Sequence, residues 1–144
     1  MNLIFDKLNE KDLEDVALLY DAERPVITNR EKMKKTFNLL KYNKDYFMIT
    51  AKIDEEIVGF AKAVIHHDIF EENNNFMTIW SVRVKNEFRR QGVGTKLFYY
   101  IEKLAKEINC DFICLIAEKE NEKANYFYRK LGYQCENGYV KFIN

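Results

Sequence analysis

The stretch from Val84 to Leu97, VKNEFRRQGVGTKL, holds the residue types and spacing that could do chemistry. Val82 and Val84 alternate with Arg83 as the end of a strand does. Arg89-Arg90-Gln91-Gly92-Val93-Gly94 follows, and an apolar pattern of helical period then starts: Val93, Leu97, Ile101, Leu104, Ile108. A turn that ends in two glycines and opens a helix lets backbone N–H groups point at a bound anion, and the helix N-terminus adds a partial positive charge. Arg89 and Arg90 add two full charges. The ligand this chemistry selects is a phosphate or pyrophosphate. A Walker loop is excluded, because no Gly-Lys-Ser/Thr closes the turn. A dinucleotide fingerprint is excluded too, because Leu97 stands where a third glycine would be needed.

What remains is Arg-x-x-Gly-x-Gly after a strand, Arg89 to Gly94. It resembles the acyl-CoA pyrophosphate loop of the GNAT superfamily of N-acetyltransferases. The lead-in agrees: Val84, then Phe88 directly before Arg89, follows the family's Val-x-Pro-x-x-Tyr-Arg pattern, with Asn86 in place of the common Pro. A second segment, Asn121 to Tyr133 (NEKANYFYRKLGY), is similar to the family's closing motif through Asn121, Ala124, Phe127, Tyr128, Leu131, Gly132 and Tyr133. The resemblance covers Phe76 to Tyr133. It implies an α/β fold of the GNAT acyl-CoA N-acyltransferase type, with a mixed central sheet and helices on both faces, and one N-acetyltransferase domain over residues 1–144.

The roles that the resemblance implies fall on named positions. The strand end Val82, Arg83 and Val84 would pair by backbone with the pantetheine arm of acetyl-CoA, the co-substrate. Amides from Arg90 through Gln91, Gly92, Val93, Gly94 and Thr95 would cradle the pyrophosphate, with Arg89 and Arg90 adding charge. Asn121, Ala124 and Phe127 would line the other wall. Tyr128 would protonate the leaving thiolate, and a main-chain N–H near Val84 would hold the oxyanion. The reaction so implied is acyl transfer by direct attack on the thioester, from acetyl-CoA to a primary amine of a small molecule or peptide.

One part of the family's chemistry has no obvious counterpart. Members often carry a Glu on the central strand as base, and Phe76 to Lys85 holds no acid. An alkyl amine near pKa ~10.4 is only about 1 part in 2,500 neutral at pH 7, a deficit of roughly 4–5 kcal/mol. His66, His67, Glu71, Glu72, Glu118 or a water chain are the candidates to offset it. The missing acid leaves a second reading, a non-catalytic acyl-CoA-binding or sensing domain. Trp80 and Glu118 are the expected acceptor contacts. Strand alternation would put Trp80 on one face with Val82 and Val84, where its ring could hold an ammonium, with Glu71, Glu72, Glu118 and Glu120 steering a cation.

The elements that must position these groups can be read in order. Residues 3–8 read as a strand. Asn9 caps a helix running to about Tyr20, with Asp12 reaching back. Thr28 and Glu31 have capping-box spacing at the start of a second helix, whose stripe is Met33, Phe37 and Leu40. Lys32, Lys34, Lys35 and Lys41 form its solvated face. Residues 45–53 and 57–66 make a hairpin around Asp54-Glu55-Glu56. Residues 76–84 form a central strand, apolar on both faces. Residues 111–117 form a short buried strand, reached by a βαβ crossover through the helix that ends at Asn109. Asn121 caps the last helix and Gly132 ends it. Residues 133–136 and 139–143 read as a terminal hairpin around Asn137-Gly138.

Composition agrees with such a domain. The chain has 144 residues, 47% of them hydrophobic, enough for a core. Lys plus Arg equals Asp plus Glu, 23 each, which argues against nucleic acid as partner. No run approaches the ~18 apolar residues of a membrane span, so no membrane partner is expected. Cys110, Cys114 and Cys135 are odd in number without a C-x-x-C, which suits a reduced cytoplasmic setting. His66 and His67 are adjacent and would point to opposite faces, so no metal site is expected. The expected assembly is a monomer or homodimer.

Overall fold

The computed structural model describes residues 2–71 and 74–143. Glu72, one of the base candidates, lies outside the described residues. The elements are β1 (Leu3–Lys7), α1 (Leu13–Asp21), α2 (Arg30–Leu40), β2 (Tyr46–Ile53), β3 (Glu56–His66), β4 (Phe76–Val84), α3 (Val93–Glu107), β5 (Phe112–Leu115) and α4 (Glu122–Lys130). The chain forms two compact units, Met1–Cys114 and Leu115–Asn144.

The five strands are ordered β1-β2-β3-β4-β5. β1–β2, β2–β3 and β3–β4 are antiparallel. β5 returns beside β4 through α3, the crossover that parallel neighbours require. The sheet is therefore mixed. The β2–β3 hairpin turns at Asp54 and Glu55, both with positive φ (49° and 69°). Two left-handed residues match the twist of the flanking strands.

Strand alternation sorts the core into two layers. On one face Met48, Ile57 and Phe60 pack with Leu8, Val16, Leu19 and Phe37 of the α1–α2 side. On the other, Ala51 and Val58 pack with Val93 at the start of α3, and Val84 and Phe88 join them. α3 buries Val93, Leu97, Phe98, Ile101 and Ala105, a stripe of helical period. Helices thus cover both faces. Lys52 projects into the α1 side, where its ammonium meets Asp12 Oδ1 at 3.2 Å; both side chains are buried. Asp12 also accepts from the Asn9 N–H at 3.1 Å, so the reach-back predicted for it is present.

Several boundaries differ from the sequence reading. The cap of α2 is Asn29, whose side chain accepts from the Lys32 N–H at 3.1 Å, rather than Thr28. Thr28 is drawn off by Asp21, to which it donates through its N–H (2.8 Å) and its hydroxyl (2.7 Å). β5 is shorter than residues 111–117 and alternates between exposed and half-buried, because among the described residues β4 is its one neighbour in the sheet. The terminal hairpin is absent: residues 133–143 form no strand. Asn137 and Gly138 lack the positive φ that a two-residue hairpin turn requires, and an isolated hairpin is marginal in water.

In the second unit, Asn121 caps α4 by accepting from the Ala124 N–H at 3.1 Å. Gly132, at φ +97°, closes the helix in the left-handed conformation.

Candidate active site

The turn after β4 is set by backbone conformation. Arg90 (φ +63°) and Gly92 (φ +82°) are both left-handed. The first bond of the α3 ladder runs from the Lys96 N–H to the Gly92 carbonyl at 3.0 Å. The Val93, Gly94 and Thr95 amides lie in the first turn, ahead of that ladder, with the helix dipole behind them. A Cβ added at Gly92 would meet nothing within 4 Å. That open approach over free amides fits a pyrophosphate. Val93 anchors the turn from below, wholly buried.

The two arginines differ. Arg89 donates to the Val84 carbonyl at 3.1 Å and pairs with Glu23 at 2.5 Å. It bolts the turn to the end of β4 and to the loop after α1. Arg90 is exposed. Gln91 donates to the Glu87 carbonyl at 2.8 Å, bracing the turn across its base.

β4 carries a bulge ahead of this turn. Trp80 pairs with Lys62 and Arg83 with Phe60, so Ser81 and Val82 together oppose Ala61. Ser81 takes up the extra residue at φ +60°. A bulge interrupts the ladder and leaves main-chain groups unpaired. It also shifts the alternation by one. Trp80 therefore shares its face with Arg83, Lys62 and Phe60, and not with Val82 and Val84 as simple alternation requires. Val84 lies on the α3 side.

On the α1 side of β4, Trp80 is 41% exposed and its indole donates to Thr78 Oγ1 at 2.8 Å. Thr78 is 2.9 Å from His66 Nε2. His66 stacks on Phe76 (centroids 4.7 Å) and Phe76 on Phe112 (4.9 Å). Tyr20 closes the opposite end of this face, edge-on to Phe60 at 6.1 Å, with the Arg83 and Arg24 guanidinium groups 5.4 and 5.7 Å from its ring centre. Burial pushes the Tyr20 hydroxyl well above the usual phenol value, and Arg83 pulls the other way. The Arg83 Nε is buried without a hydrogen-bond acceptor among the described residues. Glu23 Oε2 stands 4.0 Å from it.

The loop between α1 and α2 is locked by charge. Asp21 accepts from Thr28 and pairs with Arg30, which also grips Glu14 through Nε and Nη2, both at 3.1 Å. The Thr28 hydroxyl, then Arg30, hold the Asp21 carboxyl well below the usual carboxylate range. Arg30 holds Glu14 low in the same way.

Within the second unit, Phe127 and Tyr128 meet edge-on at 5.4 Å, and Tyr128 meets Tyr133 at 6.2 Å. Glu118 is exposed, and its carbonyl accepts from Asn125 at 2.9 Å. Of the base candidates, His67 is turned to Asp45 at 2.7 Å. The Glu71 N–H donates to Asp68 at 3.1 Å. Of His66, His67 and Glu71, only His66 is tied to the Trp80 face, through Thr78. The sequence reading missed Lys62, Tyr20 and Glu23. The alternation Phe60, Lys62, Val64, His66 marks Lys62 as facing with His66, but its place opposite Trp80 depends on the bulge.

The structure thus sets a left-handed turn between a bulged strand of a mixed sheet and the N-terminus of a helix. Comparison with known proteins gives the family: residues 13–133 match the acetyltransferase (GNAT) family, and the chain belongs to it. An uncharacterized N-acetyltransferase of Archaeoglobus fulgidus is 30% identical over 128 residues, spanning 85% of this chain and 86% of that protein. The crystal structure of a transcriptional regulator from Bacillus halodurans superposes with a TM-score of 0.88 at 25% identity, covering 99% of this chain and 100% of that one. A GNAT family acetyltransferase from Staphylococcus aureus gives 0.79 at 26% identity, again over 99% and 100%. The protein is an acyltransferase of this family. Among the described residues no helix is long and apolar enough to cross a membrane.

Proposed function

We propose that the protein moves the acetyl group of acetyl-CoA to a primary amine of a small molecule or peptide, as one N-acetyltransferase domain over residues 1–144 acting in the cytoplasm. The observation that carries this is the turn from Arg89 to Thr95: left-handed Gly92, an open approach, and first-turn amides directly after a bulged strand. When bound, acetyl-CoA supplies the activated thioester. The Gln91 to Thr95 amides and Arg90 hold its phosphates, while Arg89 fixes the turn through Val84 and Glu23. Main chain of Val82, Arg83 and Val84 pairs with the pantetheine arm and donates an N–H to the developing oxyanion. Asn121, Ala124 and Phe127 form the second wall. Tyr128 donates the proton that the departing thiolate takes up. Trp80 and Glu118 contact the acceptor.

Calorimetric titration with CoA tests the donor site. Binding by the parent and a loss of at least ~10²-fold in Gly92→Val and Gly94→Val are expected, since a side chain would stand where backbone must approach phosphate. Equal affinity in parent and both variants would remove the assignment of the turn.

A further inference from the structure

The face of β4 that carries Trp80 is cationic, the reverse of what a pocket for an ammonium needs. Lys62 pairs across the ladder with Trp80, and Arg83 lies on the same face beyond the bulge, about 7 Å along the strand, two ladder steps. Lys62 is half-buried, and among the described residues its ammonium has no ion-pair or hydrogen-bond partner. Arg83 keeps one buried donor, Nε, without an acceptor.

Three carboxylates on this side have partners of their own. Asp12 holds Lys52. Asp21 holds Thr28 and Arg30. Glu23 lies closest to Arg83 at 4.0 Å, but is drawn to Arg89 at 2.5 Å. Strand register holds both cations on this sheet face, against aromatic surface from Trp80 and Tyr20: Lys62 has no counter-ion among the described residues, and Arg83 shares its one carboxylate, Glu23, with Arg89. Leaving a half-buried ammonium unpaired is costly, and a guanidinium with open donors matches a carboxylate or phosphate in geometry as well as charge.

We infer that the acceptor is an amine that also carries an anionic group, carboxylate or phosphate, seated between Lys62 and Arg83 beside Trp80. This rests on the acetyltransferase reading above and specifies its acceptor. The anion is the handle and the amine is the reacting end. Lys62 acts as a specificity residue and not in the chemistry.

The test measures kcat/KM with acetyl-CoA for matched primary amines of equal chain length. One is neutral, one carries a terminal carboxylate, one a terminal phosphate and one a second ammonium. The parent is expected to prefer the anionic amines over the neutral one by at least ~10-fold, a typical worth of one charge-assisted contact, and the diamine is expected to be poorest. The ratio of carboxylate to phosphate arms distinguishes which anion the site takes. In Lys62→Gln the anionic-to-neutral ratio should fall about tenfold. In Lys62→Glu the diamine should overtake both anions. Thermal melting of the two variants confirms that they fold. Preference for the diamine in the parent, or an unchanged ratio in both variants, overturns the inference while leaving the acetyltransferase reading intact. A Lys62→Glu effect on the acetyl-CoA KM alone would assign Lys62 to the donor and also overturn it. No transfer to any of the amines, despite CoA binding, would overturn both readings.

Discussion

The turn after β4 and the Trp80 face of β4 are close together in sequence but are made by different means. The turn is local. Its left-handed Gly92, its first-turn amides and its anchor Val93 are consecutive residues, and Arg89 reaches back only as far as Val84 and Asn86 before meeting Glu23. The face is assembled at long range. Lys62 comes from β3, Tyr20 from α1 and Arg24 from the following loop, and a single bulged residue, Ser81, decides which side chains of β4 join them. A turn that binds a constant donor can be written into a few residues. A surface that selects an acceptor varies with register, helix placement and loop charge.

That contrast can be broken or sharpened by substitution. The largest effect expected outside the turn is on proton delivery. Tyr128→Phe should lower kcat by ~10²-fold or more with acetyl-CoA affinity nearly intact. Equal turnover would reduce Tyr128 to a packing residue against Phe127 and Tyr133.

The next test falls on the bulge. A β-branched side chain in the left-handed region costs about 1–2 kcal/mol, so Ser81→Val should lower Tm and push the strand toward regular alternation. Acceptor kcat/KM should drop by ~10-fold, about one lost charge-assisted contact, and CoA affinity should hold. Ser81→Gly should keep the bulge and the activity. Parallel loss of donor and acceptor affinity in Ser81→Val would show that turn and face are one unit.

A smaller effect concerns acid stability of the α1–α2 loop. The Asp21 carboxyl is held low, so its contribution is complete above the unfolded carboxylate value near ~3.9 and fades as pH falls below it toward the lowered folded value. The stability difference between parent and Asp21→Asn should be constant from neutral pH down to about 5, then shrink through the acid limb. A difference that persists unchanged at pH 2–3 would mean that the carboxylate charge is not what locks the loop. The smallest effect is remote from both regions. Replacing Asp54-Glu55 by Asn-Gly at the β2–β3 turn should stabilise by about 0.5–1 kcal/mol, seen as a raised Tm with kinetics unchanged.

The same division explains what could be read before the structure. Strands β1 to β4, the reach-back of Asp12 to Asn9, the cap at Asn121, the stops at Asn109 and Gly132, and the turn itself are written in neighbouring residues, and the sequence reading reached them; the helix expected to start at Asn9 starts instead at Leu13, after a 3-10 turn. The errors lie where a distant partner decides. Thr28 was expected to cap α2 because its spacing to Glu31 is right, but Asp21 competes for it from the preceding helix. Asn137-Gly138 has the composition of a hairpin turn without the conformation. The Trp80 face was misassigned because alternation has no record of a bulge: no glycine marks the position, and Ser81 takes a left-handed φ that its residue type does not announce. Lys62 carries no signal of its own in the sequence, since its place opposite Trp80 is set by strand register.

The most direct test of the account is the transfer itself, measured on the full chain. Acetyl-CoA and a carboxylate-bearing primary amine are incubated with the protein, and both products are quantified by mass spectrometry. The account predicts N-acetylated amine and free CoA in equal amounts, accumulating at a rate that Tyr128→Phe cuts by ~10²-fold. Saturable CoA binding with no acetylated amine from any member of the amine series would contradict it, and would make the protein a carrier or sensor of acyl-CoA instead of an enzyme that uses it.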